Sequence, residues 1–195
     1  MLAMLTVILI RPGSTDFDEQ GRIQGTLDVP LNEQGIAEVA RLADELRVSG
    51  LEAIYHSACS SALRTAEVLG TVLNLKPKRL DNFQNLDHGL WQGMRVEEVK
   101  RKHPKVYRQW QEQPDSVCPP EGETLDAART RVQGVLRKLL RKHREGTIGL
   151  VVPEPLARLV RCQLSHSEVG NLWTAGEEHG SFEVIAVGPE LAAKS

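Results

Sequence analysis

The stretch Leu9-Ile10-Arg11-Pro12-Gly13-Ser14-Thr15 runs off an apolar N-terminal segment into a turn of small and polar residues. Leu5 to Ile10 is a continuous β-prone run, the pattern of a central strand covered on both faces. A strand that ends in arginine and a glycine turn reads as an anion-binding corner. Pro12 stands where a reactive side chain is expected, and proline offers neither a lone pair nor a backbone N–H. It also biases Arg11 toward an extended backbone, which keeps the arginine at the strand end.

Beyond this turn the chain alternates. Asn32-Glu33-Gln34-Gly35 caps a helical segment whose apolar positions Ile36, Val39, Ala40, Ala43 and Leu46 recur at helical spacing. Ala53-Ile54-Tyr55 is a short strand, and Ser60 to Leu69 reads as a helix with Leu63, Ala66 and Leu69 on one face. Residues 94–112 are charged and helix-prone, with a break or kink near Pro104. Residues 114–122 form a loop rich in proline and acid. A long helix is expected from Thr124 to Arg144 with Val132, Val135, Leu136 and Leu139 inward. Ile148 to Val152 is a buried strand stopped by Pro153 and Pro155, and Phe182 to Val187 is the last strand. This order argues for an α/β sandwich. The segment 81–123 interrupts the alternation and is expected as a lid over the carboxyl ends of the strands, where open α/β sheets place ligands.

A chain of 195 residues suits one domain, spanning 1–195 with the lid as an insertion. Its 41% hydrophobic and 26% charged residues are ordinary for a globular protein. A net charge of −2 makes no electrostatic case for nucleic acid or an anionic membrane. The local basic run Lys100, Arg101, Lys102, His103 and Lys105 reads as a solvated helix face. Cys59, Cys118 and Cys162 lack metal-ligand spacing and fit free thiols in a reducing compartment, so a cytoplasmic location is expected. The apolar run at residues 1–10 is too short to span a bilayer.

Together with Gly21-Arg22-Ile23-Gln24-Gly25-Thr26-Leu27-Asp28-Val29-Pro30-Leu31-Asn32, the opening turn resembles the histidine phosphatase superfamily, the phosphoglycerate mutase-like proteins. The resemblance implies a three-layer α/β/α sandwich with a mostly parallel central sheet and a small helical lid insertion. It also implies a phosphate pocket of two histidines, two arginines and one glutamate, working without metal or cofactor. In such a pocket one histidine attacks phosphorus, the glutamate serves as acid or base, and the cations neutralise the transferring group.

Each slot can be matched. The first arginine is Arg11, and the nucleophilic histidine is Pro12. Gly13 and Thr15 keep the family's residues, while Ser14 replaces a glutamate and Asp18 an asparagine. Arg22 and Gln24 match the substrate loop. In His56-Ser57-Ala58-Cys59-Ser60-Ser61-Ala62-Leu63-Arg64-Thr65-Ala66 the pocket arginine has become Ser61, with Arg64 three residues on as its nearest replacement. In Phe83-Gln84-Asn85-Leu86-Asp87-His88-Gly89-Leu90-Trp91-Gln92-Gly93 the acid–base glutamate is Asn85, and Asp87 and His88 lie nearby. The second histidine aligns with Glu154, between two prolines that remove backbone donors. Glu123 and Thr124 match a lid motif. The expected ligand set is Arg11, Thr15, Arg22, Gln24, Arg64, His88, Glu123 and Thr124.

Four principal slots are thus altered, at Pro12, Ser61, Asn85 and Glu154, and Arg11 stands. Three charge-assisted donors are missing, each worth roughly 1.5–3 kcal/mol, so phosphate-ester binding weakens by orders of magnitude. The expected outcome is a catalytically inactive member, a binding or regulatory module whose remodelled pocket takes an unknown small ligand or a weakly bound anion. Two alternatives stay open. One is a phosphoglycerate mutase- or phosphatase-type enzyme with a rebuilt site, which requires at least two of His56, His88, Cys59 and Glu154 to converge with Arg11. The other is a structural or assembly protein. Dimers occur in the family, and nothing in this sequence specifies an interface.

Overall fold

The β-prone run at the N-terminus becomes β1 (Leu5–Arg11) and sits inside the sheet. It is followed by α1 (Asp16–Glu19), α2 (Glu33–Glu45), β2 (Ala53–His56), α3 (Ser60–Leu73) and β3 (Lys78–Arg79). Then come α4 (Val96–Lys102), α5 (Pro104–Glu112), α6 (Leu125–Lys142), β4 (Gly146–Val151), α7 (Leu156–Ser165) and β5 (Ser181–Val187). The computed structural model describes residues 4–167 and 179–188; the first residues of the apolar N-terminal run lie outside the described residues.

The sheet order is β3-β2-β4-β1-β5. β1 pairs in parallel with β4, from Leu5 opposite Gly146 to Ile10 opposite Val151, and antiparallel with β5. β2 is parallel to both β4 and β3. Successive side chains of a strand point to opposite faces, so β1 feeds two cores. Leu5, Val7 and Leu9 join Ile148 and Leu150 under α6 and α7. Ile8 and Ile10 join Ile54 and Val151 under α2 and α3. Burying each such side chain contributes roughly 1.5–3 kcal/mol, which is what makes a strand apolar on both faces form the centre. The result is a three-layer α/β/α sandwich with a mostly parallel sheet. No helix among the described residues is long and apolar enough to cross a membrane.

Most element boundaries agree with the sequence pattern. Asn32 caps α2 by accepting from the Gly35 N–H at 2.8 Å, and Thr124 caps α6. The helix-prone stretch 94–112 is broken ahead of Pro104, which opens α5. The basic run on α4 and α5 is exposed.

Two inward faces are rotated from the expected ones. Ile36 is 58% exposed, and α2 docks through Gly35, Val39, Leu42 and Ala43. Leu63 is 42% exposed, and α3 turns in Ser61, Ala62, Thr65, Ala66 and Leu69. The cause is the turn after β1. Thr65 accepts a hydrogen bond from the Gly13 N–H, and Gly35 packs against Ser14 and Gly13 so closely that neither glycine has room for a Cβ. Both helices therefore present small residues to the turn and send larger ones to solvent. Gly35→Ala should lower stability by about 1–3 kcal/mol through overpacking against backbone. An unchanged urea midpoint would refute this close packing.

Candidate functional site

A cavity of about 490 Å³ opens beside the carboxyl ends of β1 and β4, the place where parallel sheets of this kind receive ligands. Arg11, Pro12, Gly13 and Thr15 line one side, and Arg22, Ile23 and Gln24 continue it. Ser61 enters from the start of α3, and Glu154 lies between Pro153 and Pro155. Arg95, Val96 and Glu97, with Trp110 of α5, bring the 81–123 segment onto the opposite wall. His88 and His179 complete the lining.

Arg11 is the charge at the centre, only 4% exposed at the end of β1. Its Nε donates to Glu154 Oε1 at 2.7 Å and its Nη2 to Glu183 Oε1 at 2.9 Å. Burial pulls the guanidinium pKa down, but the two carboxylates outweigh that and hold it above its ordinary value. The Glu154 side chain is 5% exposed, whereas Glu183 is 28% exposed. Burial pushes the Glu154 carboxyl above the usual carboxylate range, although Arg11 and Arg158 pull the other way. Its Oε2 has no hydrogen-bond partner and lies 3.8 Å from Arg158 Nε.

Asn85 does not line the cavity. Its Nδ2 donates to the Glu154 carbonyl at 2.8 Å, and its Oδ1 accepts from the Leu156 N–H at 3.2 Å. It clasps the start of α7 and satisfies one of that helix's first backbone donors. His88 is buried, tilted against Trp110 at 5.7 Å between ring centroids. Its Nδ1 lies 3.2 Å from the Leu86 carbonyl, which only accepts, so Nδ1 carries the proton and Nε2 the lone pair. Burial lowers its pKa to about 4, leaving the ring neutral in ordinary solution.

On the loop side, Thr15 and Asp18 form a capping box at α1: the Thr15 N–H donates to Asp18 Oδ2 at 2.8 Å, and its hydroxyl donates to the same oxygen at 2.7 Å. The second Asp18 oxygen lies 3.8 Å from His179 Nε2. Arg22 donates to the Gly93 carbonyl at 2.6 Å and is bridged to Arg95. Gln24 donates weakly to Leu27.

Several expected ligand residues lie elsewhere. Arg64 points outward, paired at the surface with Glu67, because α3 is rotated by its packing on Gly13. Glu123 is held by Arg131 and by the Asp87 N–H, and Thr124 is occupied as the α6 cap. Neither reaches the cavity. His56 bonds the Ser57 carbonyl and Cys59 contacts Ser57 and Ser61; both are off the cavity wall. Of the four groups a rebuilt site was expected to draw on, His88 and Glu154 line the same cavity as Arg11. The sequence reading missed His179, Arg95 and Glu183. Glu183 had a usable signal, a lone carboxylate in a β-prone run; His179 and Arg95 had none. Among the described residues no cluster of three or more His, Cys, Asp or Glu side chains is arranged to hold a metal ion.

The sequence pattern described as Histidine phosphatase superfamily (branch 1) matches residues 7–192. The chain is 34% identical over 182 residues to Phosphoserine phosphatase 1 of Hydrogenobacter thermophilus, covering 93% of this chain and 86% of that protein. It is 31% identical over 136 residues to Uncharacterized phosphatase PhoE of Bacillus subtilis, covering 70% and 65%. A solved mycobacterial glucosyl-3-phosphoglycerate phosphatase superposes with a TM-score of 0.81 at 23% identity, over 92% of this chain and 88% of that one, a likeness of fold. The expectation of a catalytically inactive binding or regulatory module is corrected by this kinship, which ties nearly the whole chain to a phosphatase at 34% identity. The expectation of inactivity rested on the identities of Pro12, Ser61, Asn85 and Glu154 alone. It took no account of residues that folding brings to the cavity wall from elsewhere, Arg95 and His179.

Proposed function

This chain belongs to the histidine phosphatase superfamily, and on that premise we propose that it hydrolyses small phosphate monoesters in the Arg11 cavity with a rebuilt site. The observation that carries the reading is the 34% identity, over 93% of the chain, to Phosphoserine phosphatase 1, which makes phosphoserine the first ester to test. The cavity of about 490 Å³ holds a phosphate group with a small organic remainder.

Arg11, Arg22 and Arg95 supply the positive charge on the walls. Pro12 cannot attack phosphorus, so the nucleophile in this proposal is water. Its proton passes to a histidine on the wall. His88, with a pKa of about 4, is a poor base at neutral pH. His179, on the same wall with its Nε2 3.8 Å from Asp18 Oδ1, is the base of this proposal. Water oxygen bonds to phosphorus, the ester P–O bond breaks, and inorganic phosphate and the alcohol leave. No phosphohistidine forms.

The test is phosphate release from phosphoserine and p-nitrophenyl phosphate by the wild type and by His179→Asn. Turnover should fall about a hundredfold in the variant, the lower end of what a positioned base contributes, and acid-labile protein-bound phosphate should be absent. No release by the wild type, or an unaffected variant, would overturn the proposal.

A further inference from the structure

We infer that Glu154 is the proton-carrying acid of this cavity: an oxyanion and a proton enter together, the anion taking Arg11 Nε from Glu154 Oε1 while the proton sits on the Glu154 carboxyl. The hydrolytic part of this inference rests on the phosphatase reading above; the proton-coupled binding does not.

The geometry forces the coupling. Arg11 is already engaged by two carboxylates, Glu154 at 2.7 Å and Glu183 at 2.9 Å. An anion at the same guanidinium meets the Glu154 charge at roughly 4 Å, where like charges in a partly buried site cost about a thousandfold in affinity. Protonation removes that repulsion and turns an acceptor into a donor that can bond the anion. Glu154 takes the proton because its side chain is 5% exposed, whereas Glu183, at 28%, keeps contact with water. The seat is Oε1, which loses Arg11 Nε to the anion and faces it, while Oε2 stays buried 3.8 Å from Arg158 Nε; burial already pushes this carboxyl above the usual carboxylate range. The charged and titratable groups around it are Arg11 from β1, Glu183 from β5 and Arg158 from α7, with His88, His179, Asp18, Arg22, Arg95 and Glu97 on the other cavity walls.

In the hydrolytic cycle that proton has a destination. As the ester P–O bond breaks, the alcohol oxygen takes the proton from Glu154. The carboxylate then returns to Arg11 and repels the product phosphate, which leaves. The next substrate arrives with a proton from solvent, replacing the one His179 returns to water.

Sulfate is the probe, because unlike phosphate it does not titrate near neutrality. Calorimetry in two buffers of different ionisation heat should show uptake of about one proton per sulfate bound, with affinity falling roughly tenfold per pH unit above the Glu154 pKa. Glu154→Gln should bind sulfate more tightly and without proton uptake, and His179→Asn should retain the uptake. Wild-type binding without proton uptake, uptake that persists in Glu154→Gln, or no sulfate binding by the wild type in mild acid would overturn the inference. The wild-type two-buffer measurement decides even if the glutamine variant fails to fold. Proton-coupled binding without turnover would sink the phosphatase reading alone; turnover with proton-independent binding would sink this one alone.

Discussion

Replacing Arg131 with Met should remove about 3 kcal/mol of stability, seen as a lower urea midpoint with an unchanged slope. Arg131 on α6 uses its planar fork fully. Its Nε donates to Glu123 Oε2 at 2.9 Å, its Nη1 to the Gln84 carbonyl at 2.7 Å and its Nη2 to the Asn85 carbonyl at 3.1 Å. Glu123 in turn accepts from the Asp87 N–H at 3.0 Å. The pair is 16% and 19% exposed, so deleting the cation leaves a largely buried carboxylate without its counter-charge and the Asn85 carbonyl without its donor. Methionine replaces the apolar stem, so the loss reports the fork and not a cavity. Arg131→Lys should recover only part, because an ammonium restores the charge and not the planar geometry. A loss under 1 kcal/mol in Arg131→Met would show that the 82–87 segment is held by packing alone. The same segment carries Asn85 and leads into His88, so it also positions one wall of the cavity.

The second large effect is a pH dependence of stability centred on His88. Burial holds its pKa at about 4 against an ordinary 6.5. The folded protein takes up that proton less readily than the unfolded chain does, so acid favours unfolding. The stabilisation is complete above pH 6.5, shrinks by about 1.4 kcal/mol per unit as the pH falls, and is lost at about pH 4. Over that window the total is about 3 kcal/mol. Carboxylates titrate there too, so the measurement is a difference: urea unfolding of the wild type and of His88→Gln at several pH values. The wild type should lose about 3 kcal/mol more than the variant between neutrality and pH 4. Parallel profiles would mean that the buried ring accepts a proton at little cost.

Of the four residues matched by resemblance to the family's chemical positions, Pro12, Ser61 and Glu154 line the cavity, while Asn85 clasps the start of α7. The conclusion of inactivity assumed that a lost side chain leaves a gap. A cavity wall has contributors from many elements, and Arg95 and His179 reach it from segments with no local signature. Arg64 shows the opposite limit: three residues along a helix brought it near the slot of Ser61, but the rotation of α3 sent it to the surface beside Glu67.

The sequence by itself determined the central strand, because a run with apolar side chains on both faces is stable only when both are covered. It determined the Asn32 cap and the break near Pro104, because capping and proline chemistry act within a few residues. It also carried the family, through the long match around Gly21 to Asn32. Only the tertiary structure decided which faces of α2 and α3 turn inward, since that follows from the contact of Gly13 and Gly35 across the turn. It alone decided the state of Arg11, whose partners Glu154 and Glu183 lie 143 and 172 residues away along the chain. Electrostatic energies depend on distance in space and on exclusion of water, and neither is written in the spacing of residues.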